Sequence, residues 1–344
     1  MKRICLLVVC LFFAACWCQG QKLERGLLWK ISGNGLRKAS YLFGTIHLAP
    51  DGDADYIYDI PGFERVFGRV RQLACEIDFN EELEIEYPEE IQERMSLKKG
   101  ETYRDLLPDE DYCYVDSVVT SIMGVGLDNT IYSPEELLEK LSGRLLAREI
   151  LKDMSPWSVS GIMDVRICKL AREKGYDIVP LDTEEILVEL KRSEMLADSL
   201  VAKGILTRYY GLLIELFDDS KDRMADEIRG LETAYTTQDL NELSSFIDSA
   251  DSISRVWEQG KMQEFRARGY TERQMAEIEA LCGIGAEDDD YIGAGRNMEW
   301  MKVLPDIMAQ NPTFIAVGAF HLIGEQGLIS LLRRAGYTVK PVKK

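Results

Sequence analysis

The chain has two histidines in 344 residues, so any imidazole chemistry rests on His47 and His321. Past the first twenty positions no stretch approaches the roughly eighteen apolar residues of a membrane span, which leaves no later candidate transmembrane helix. The H-E-x-x-H, G-x-S-x-G and phosphate-loop patterns are all missing. Basic residues are in the minority, 41 Lys and Arg against 59 Asp and Glu, for a formal charge of −18. An acidic surface of that size repels phosphate backbones and excludes nucleic acid as a partner. Four of the eight cysteines, Cys5, Cys10, Cys16 and Cys18, fall in the first twenty residues. The others, Cys75, Cys113, Cys168 and Cys282, are widely spaced without a C-x-x-C pair. Neither a zinc knuckle nor a thioredoxin-type motif is available to them, and they read as small buried hydrophobes whose disulfide state stays open.

What is present begins with a leader. Met1-Lys2-Arg3 supplies a positive start and Ile4 to Ala15 a nearly unbroken apolar run of signal-peptide length. Residues 1–20 are therefore expected to direct export to a periplasmic, outer-membrane or extracellular location in a bacterium. Cys18 and Gly20 suit an ordinary signal peptidase. Phe13-Ala14-Ala15-Cys16 resembles a lipobox with Phe in place of Leu, which would attach the protein to a membrane through lipidated Cys16.

With 46% hydrophobic and 29% charged residues, the remainder is globular. Leu27 to Ile31 and Tyr41 to Phe43 flank Gly33-Asn34-Gly35 and read as a β-hairpin. The loop Pro50 to Asp55, a short helix over Pro61 to Phe67 and a buried strand over Gln72 to Ile77 follow. From about 89 to 282 the pattern is mostly helical, with a helix start at Pro134. A glycine stop at Gly175 precedes a strand over Tyr176 to Leu181. Asp182, with Glu185 three positions on, reads as the N-cap of the next helix. Thr313 to Val317 is strand-like, Leu328 to Leu332 helical, and Tyr337 to Val339 a last strand. The expected fold is α/β: over 21–344, a mixed central sheet built from both chain ends in two similar halves, with a helical insertion.

Both histidines stand in one setting. Tyr41-Leu42-Phe43-Gly44-Thr45-Ile46-His47-Leu48 matches Ala316-Val317-Gly318-Ala319-Phe320-His321-Leu322 as strand, Gly, small residue, large apolar residue, His, Leu. Given 27 glycines, Gly three before both histidines arises by chance about 0.6% of the time. Each His is expected to project from a sheet edge, where α/β proteins gather their sites. Glu76 lies inside the apolar strand Leu73-Ala74-Cys75-Glu76-Ile77, where a carboxylate must be paired, hydrogen-bonded or metal-bound. An ion pair with Arg65, Arg69 or Arg71 is one solution. The other joins Glu76 to His47 and His321 as a three-ligand set for a divalent ion with room for water. Arg296 and Asn297 follow Gly293-Ala294-Gly295 near a helix start, where Arg could stabilise an oxyanion and Asn orient substrate; capping and a surface salt bridge explain them too. The acidic run Glu287 to Asp290 reads as a solvated loop.

These pieces, with Pro156-Trp157 and Lys169 to Glu184, resemble the TraB/GumN family of bacterial proteins. That family is related to the animal Tiki proteases and to erythromycin-esterase-like and ChaN-like proteins. The resemblance implies one α/β domain whose halves each give a G-x-x-H histidine, and a Tiki-like metal-dependent peptidase. Its metal would sit on His47, Glu76 and His321, with Arg296 and Asn297 nearby. Asp182 stands where the family more often has Glu, and no role is assigned to it. The implied partner is a peptide or protein substrate and the implied cofactor Mn, Co, Zn or Fe, a choice the ligand set leaves open. Glu76 is either a ligand or the general base. Two other readings stay open: a surface protein that binds a peptide or glycan without chemistry, and a metal-free esterase-type hydrolase.

Overall fold

The computed structural model describes residues 23–47, 53–78, 85–150, 162–195, 200–201, 203–282 and 291–343. The leader with Cys16, Leu48, Pro156-Trp157, the first half of the loop expected over Pro50 to Asp55, and the acidic run Glu287 to Asp290 lie outside them.

Among the described residues six strands form one sheet: β1 Leu28–Gly33, β2 Ser40–Thr45, β3 Gln72–Cys75, β4 Asp177–Pro180, β5 Thr313–Gly318 and β6 Tyr337–Pro341. Their order across the sheet is β4-β3-β5-β2-β1-β6, so both chain ends share it as expected. Neighbours among β4, β3, β5 and β2 pair in parallel, and β1 is antiparallel to both β2 and β6. β1 alone therefore runs against the other five. The hairpin turn carries left-handed residues at Gly33, Asn34 and Gly35, two of them glycines that tolerate positive φ without a Cβ clash. β5 and β6 flank the helix Leu328–Arg334 and point the same way, with β2 and β1 between them.

Strands buried on both faces need continuous apolar runs, and β2 and β3 are buried at every position. Phe314 of β5 packs on Phe43, Phe63 and Phe67 with ring centroids 5.9, 5.5 and 5.0 Å away, which seats the helix Phe63–Phe67 on the sheet. On β3, Cys75 meets Cys168 of the helix Met163–Glu173 with sulfurs 3.9 Å apart. Cys75, Cys168 and Cys282 are buried as expected, whereas Cys113 is exposed. Between Glu89 and Cys282 the described residues hold one strand, β4, among helices, the longest being Tyr210–Thr236 and Leu240–Ala267. Tyr235, near the end of the first, donates its hydroxyl to the Gly44 carbonyl at 2.7 Å and ties the helical region to β2.

Candidate active site

Parallel strands bring their carboxyl ends to one edge, and the register makes that edge even. Thr45 lies opposite Gly318, and Cys75 opposite both Ala316 and Pro180. Pairing continues past the strands, with Asp182 donating its backbone N–H to the Glu76 carbonyl at 2.9 Å. The next residues of four strands thus converge: His47 after β2, Glu76 after β3, Asp182 after β4 and His321 on a short 3-10 turn after β5. Open α/β sheets bind ligands outside this edge.

The motif glycines serve different ends. A Cβ on Gly44 would lie 2.9 Å from Ala319 Cα and 3.0 Å from its Cβ, so the two motifs touch through a hydrogen side chain. A Cβ on Gly318 would meet Glu76 Oε1 at 3.4 Å and nothing closer. Gly44→Ala is expected to destabilise by about 1–3 kcal/mol through overpacking against backbone, and Gly318→Ala by about 1 kcal/mol or less. Equal urea midpoints for the two variants would refute the distinction.

Glu76 is buried and doubly bonded: Oε1 accepts from the Gly318 N–H at 2.7 Å and Oε2 from Arg296 Nη2 at 2.5 Å. The arginines nearby in sequence, Arg65, Arg69 and Arg71, are not its partners; the ion pair comes from Arg296, 220 residues on. Arg296 also forks onto Asp182, with Nε to Oδ1 at 3.2 Å and Nη2 to Oδ2 at 2.5 Å. Trp300 Nε1 donates to Asp182 Oδ1 at 2.9 Å, and the guanidinium lies 4.7 Å above the Trp300 ring. Arg296 is therefore a buried cation between two carboxylates, neither a cap nor a surface pair. The N-cap of the helix Glu184–Glu194 is Thr183, which accepts from the Ile186 N–H; Asp182 is turned inward.

Asn297 has both ends of its amide engaged. Nδ2 donates to the carbonyls of His321 and Gln326 at 3.2 and 2.9 Å, which leaves Oδ1 facing His321 Nδ1 at 2.9 Å. A carbonyl oxygen there assigns the proton to Nδ1, so Nε2 is the acceptor nitrogen. Arg296 Nη1 stands 3.3 Å from that Nε2, and Glu76 Oε1 stands 4.0 Å from it. The Trp300 ring packs at 4.5 Å on the imidazole. Asn297 orients His321 where sequence reading had it orient substrate.

His47 turns Nδ1 to Asp164 Oδ2 at 3.1 Å, and Thr45 donates to Asp164 Oδ1 at 2.8 Å. With 22% of its side chain exposed, against 10% for His321 and 8% for Glu76, His47 marks the open side of the site. Asp164 escaped sequence reading, though it stands on the buried stripe of its helix with Met163, Ile167, Cys168 and Ala171. A lone acid on an apolar stripe is the signal that singled out Glu76.

The electrostatics separate the two imidazoles. Burial disfavours the charged His47, but the hydrogen bond and charge of Asp164, helped by Glu76, outweigh it and raise the pKa to about 9. For His321, burial, backed by the Arg296 charge, outweighs Glu76 and lowers the pKa to about 3. Burial pushes Glu76 up, yet Arg296 above all, then His321 and His47, hold it well below the usual carboxylate range. Asp182 is raised by burial in spite of Arg296.

Two borderline nitrogen donors and a carboxylate suit a divalent ion by type. Each ring also has Nδ1 held by an oxygen, the backing found behind metal-bound histidines. Against this, Arg296 engages Glu76 Oε2 and faces Nε2 of His321. Among the described residues no group of three or more His, Cys, Asp or Glu side chains stands ready to hold an ion. The donor set fits in kind, and an ion there competes with the guanidinium.

Fold and site define an α/β protein with a charged, buried acid–base cluster at the carboxyl edge of a parallel sheet. The sequence profile of the TraB/PrgY/gumN family matches residues 27–341, nearly the whole chain, and the chain belongs to that family. No curated protein and no solved structure matches it.

Proposed function

We propose that the chain is an exported hydrolase, a Tiki-like peptidase, whose divalent ion is held by His47, Glu76 and His321. The observation that carries this reading is the convergence of two imidazoles and a carboxylate on one sheet edge, each ring backed at Nδ1 by Asp164 or Asn297. When bound, such an ion supplies a hydroxide near neutral pH and polarises the substrate carbonyl. Asp164 and Asn297 fix the rings. Arg296 presents a permanent charge to the developing oxyanion and keeps Glu76 ionised. A carboxylate held so far below the working pH is a weak proton acceptor, so Glu76 acts as ligand and fixed charge, not as general base. Export follows from the leader, with cleavage near Cys18 or Gly20 as the first reading and anchoring through a lipidated Cys16 as its alternative.

A metal-free hydrolase is the second reading, favoured by the opposite shifts of His47 and His321. In that reading His47 is the imidazolium that protonates the leaving group, while His321 Nε2, a weak base at a pKa of about 3, hydrogen-bonds and positions the attacking water and does not take its proton. A peptide-library cleavage assay on residues 21–344, with Mn, Co, Zn or Fe(II) added after chelation, separates the readings. The metallopeptidase regains cleavage with one ion and loses both ion and cleavage in His47→Ala. The metal-free enzyme keeps its activity under chelation and loses it in His321→Ala. Cleavage unchanged in Glu76→Ala would remove Glu76 from either mechanism, and tight peptide binding without cleavage would leave a sequestering protein.

Metal affinity should also depend on pH. His47 must release a proton to ligate and holds it up to about 9, so the association constant is expected to rise about tenfold per pH unit from 7 towards 9. A flat profile in calorimetric titrations would exclude His47 as a ligand.

A further inference from the structure

Apart from the strand-end site, β1, β6 and the helix Phe63–Phe67 border a cleft of about 1220 Å³. Among the described residues six cations line it, Arg25, Lys30, Arg65, Arg69, Lys340 and Lys343, against one acidic side chain, Glu24. This is the reverse of the chain as a whole, where 59 acidic residues face 41 basic ones. Glu24 is itself paired with Arg333 at 2.9 Å. Arg25 donates to the Thr237 carbonyl and Arg65 to the Lys343 carbonyl, so both guanidinium groups are held in position by neutral oxygens that leave their charge in place.

Lys30 and Lys340 are directly opposed across the antiparallel β1–β6 pair. Opposed residues put their side chains on one face with Cβ atoms about 5 Å apart, where like charges repel. A lysine on β6 has a general use, because β6 is a sheet edge and an edge cation deters pairing with another chain. That use accounts for Lys340 alone. It does not explain a second lysine against it, or Arg65 on the helix Phe63–Phe67 and Arg69 just past its end on the same cleft. The floor, by contrast, is apolar, with Leu28, Ile60 and Val66 buried there.

We propose that this cleft is a binding site for a phosphate ester, whose phosphate draws on the lysines and arginines while its organic part lies on the apolar floor. A lone carboxylate offers one negative charge and two oxygens; a phosphate offers more of both and matches several donors at once. The same chemistry is carried by a free phosphorylated small molecule and by an anionic lipid headgroup. The site shares no residue with the hydrolase centre and does not depend on that reading.

Thermal unfolding and calorimetry on residues 21–344 at fixed ionic strength test it, with glycerol 3-phosphate, dihexanoylphosphatidylglycerol and acetate as probes. The phosphate esters are expected to raise Tm by binding the folded state, and acetate is not. Lys30→Gln/Lys340→Gln should weaken phosphate-ester binding at least about tenfold. Lys340→Glu, which sets an opposite charge against Lys30, should abolish binding while melting no lower than the parent, so loss of ligand cannot be mistaken for loss of fold. Co-sedimentation with phosphatidylglycerol vesicles, but not phosphatidylcholine vesicles, identifies a lipid source, and tighter binding of glycerol 3-phosphate without co-sedimentation a free one. Equal Tm shifts from acetate and the phosphate esters, or parental affinity in the lysine double variant, would overturn the proposal.

Discussion

Arg296→Met is expected to lower the stability of the fold by about 3–5 kcal/mol, because it strands two buried carboxylates at once. Glu76 and Asp182 keep only 8% and 2% of their side chains exposed, and Arg296 is the cation that both contact. Arg296→Lys should recover only part of the loss, since an ammonium cannot reproduce the fork from Nε and Nη2 onto Asp182. The pH dependence carries a signature. In the parent, Glu76 is held below its unfolded pKa, so its contribution is present above about 4.5 and lost as pH falls. In the variant, burial is opposed at Glu76 only by His321, His47 and the Gly318 N–H and at Asp182 only by Trp300, so both carboxyl pKa values rise and part of the lost stability returns on acidification. Glu76→Gln/Asp182→Asn placed in the Arg296→Met background should restore most of the stability at neutral pH, because amides need no counter-charge. Urea unfolding across pH 5–8 checks this. An Arg296→Met protein as stable as the parent would mean that the carboxylates are solvated by other means.

The features legible in the sequence were local ones. The hairpin lay in Gly33-Asn34-Gly35 between apolar runs, the β2 and β5 sites in two copies of one motif, and Glu76 in an acid standing inside an apolar strand. The pairing of both chain ends in one sheet followed from where strand-like segments lay. Partners were not legible, because the sheet order sets them and not the spacing. Glu76 has three arginines within eleven residues, yet its ion pair crosses 220 positions, since β5 inserts between β2 and β3 and carries the Arg296 helix with it. Asp182 followed by Glu185 has the outward form of a capping box, and Thr183 next to it could cap equally well. Only the pairing of Asp182 with the Glu76 backbone, which extends β3 and β4, turns the aspartate to the site and leaves the cap to threonine. Asp164 was within reach of a helical-periodicity argument, since it interrupts an otherwise apolar stripe.

With two histidines in the chain, the pH dependence of stability in the imidazole range has two sources of opposite sign. In metal-free protein His47 keeps its proton up to about 9, so it contributes about 3 kcal/mol that is fully present below its unfolded pKa of 6.5 and lost as pH rises through 9. His321 is lowered to about 3; its contribution is complete above 6.5 and is lost as pH falls from there towards 3. Stability from the pair should therefore peak near pH 6.5 and decline on both sides. Imidazole NMR resonances should report one ring titrating near 9 and the other still neutral at pH 5, with His47→Asn identifying the first and removing the alkaline decline. Two rings titrating together near 6.5 would contradict the arrangement of both. Asp164→Asn isolates the cause. The Asp164 hydrogen bond and charge are what overcome the burial of His47, so without the carboxylate its pKa should fall well below 9. A ring that still titrated near 9 in that variant would transfer the effect to Glu76 and remove Asp164 from its part in setting the charge of the site.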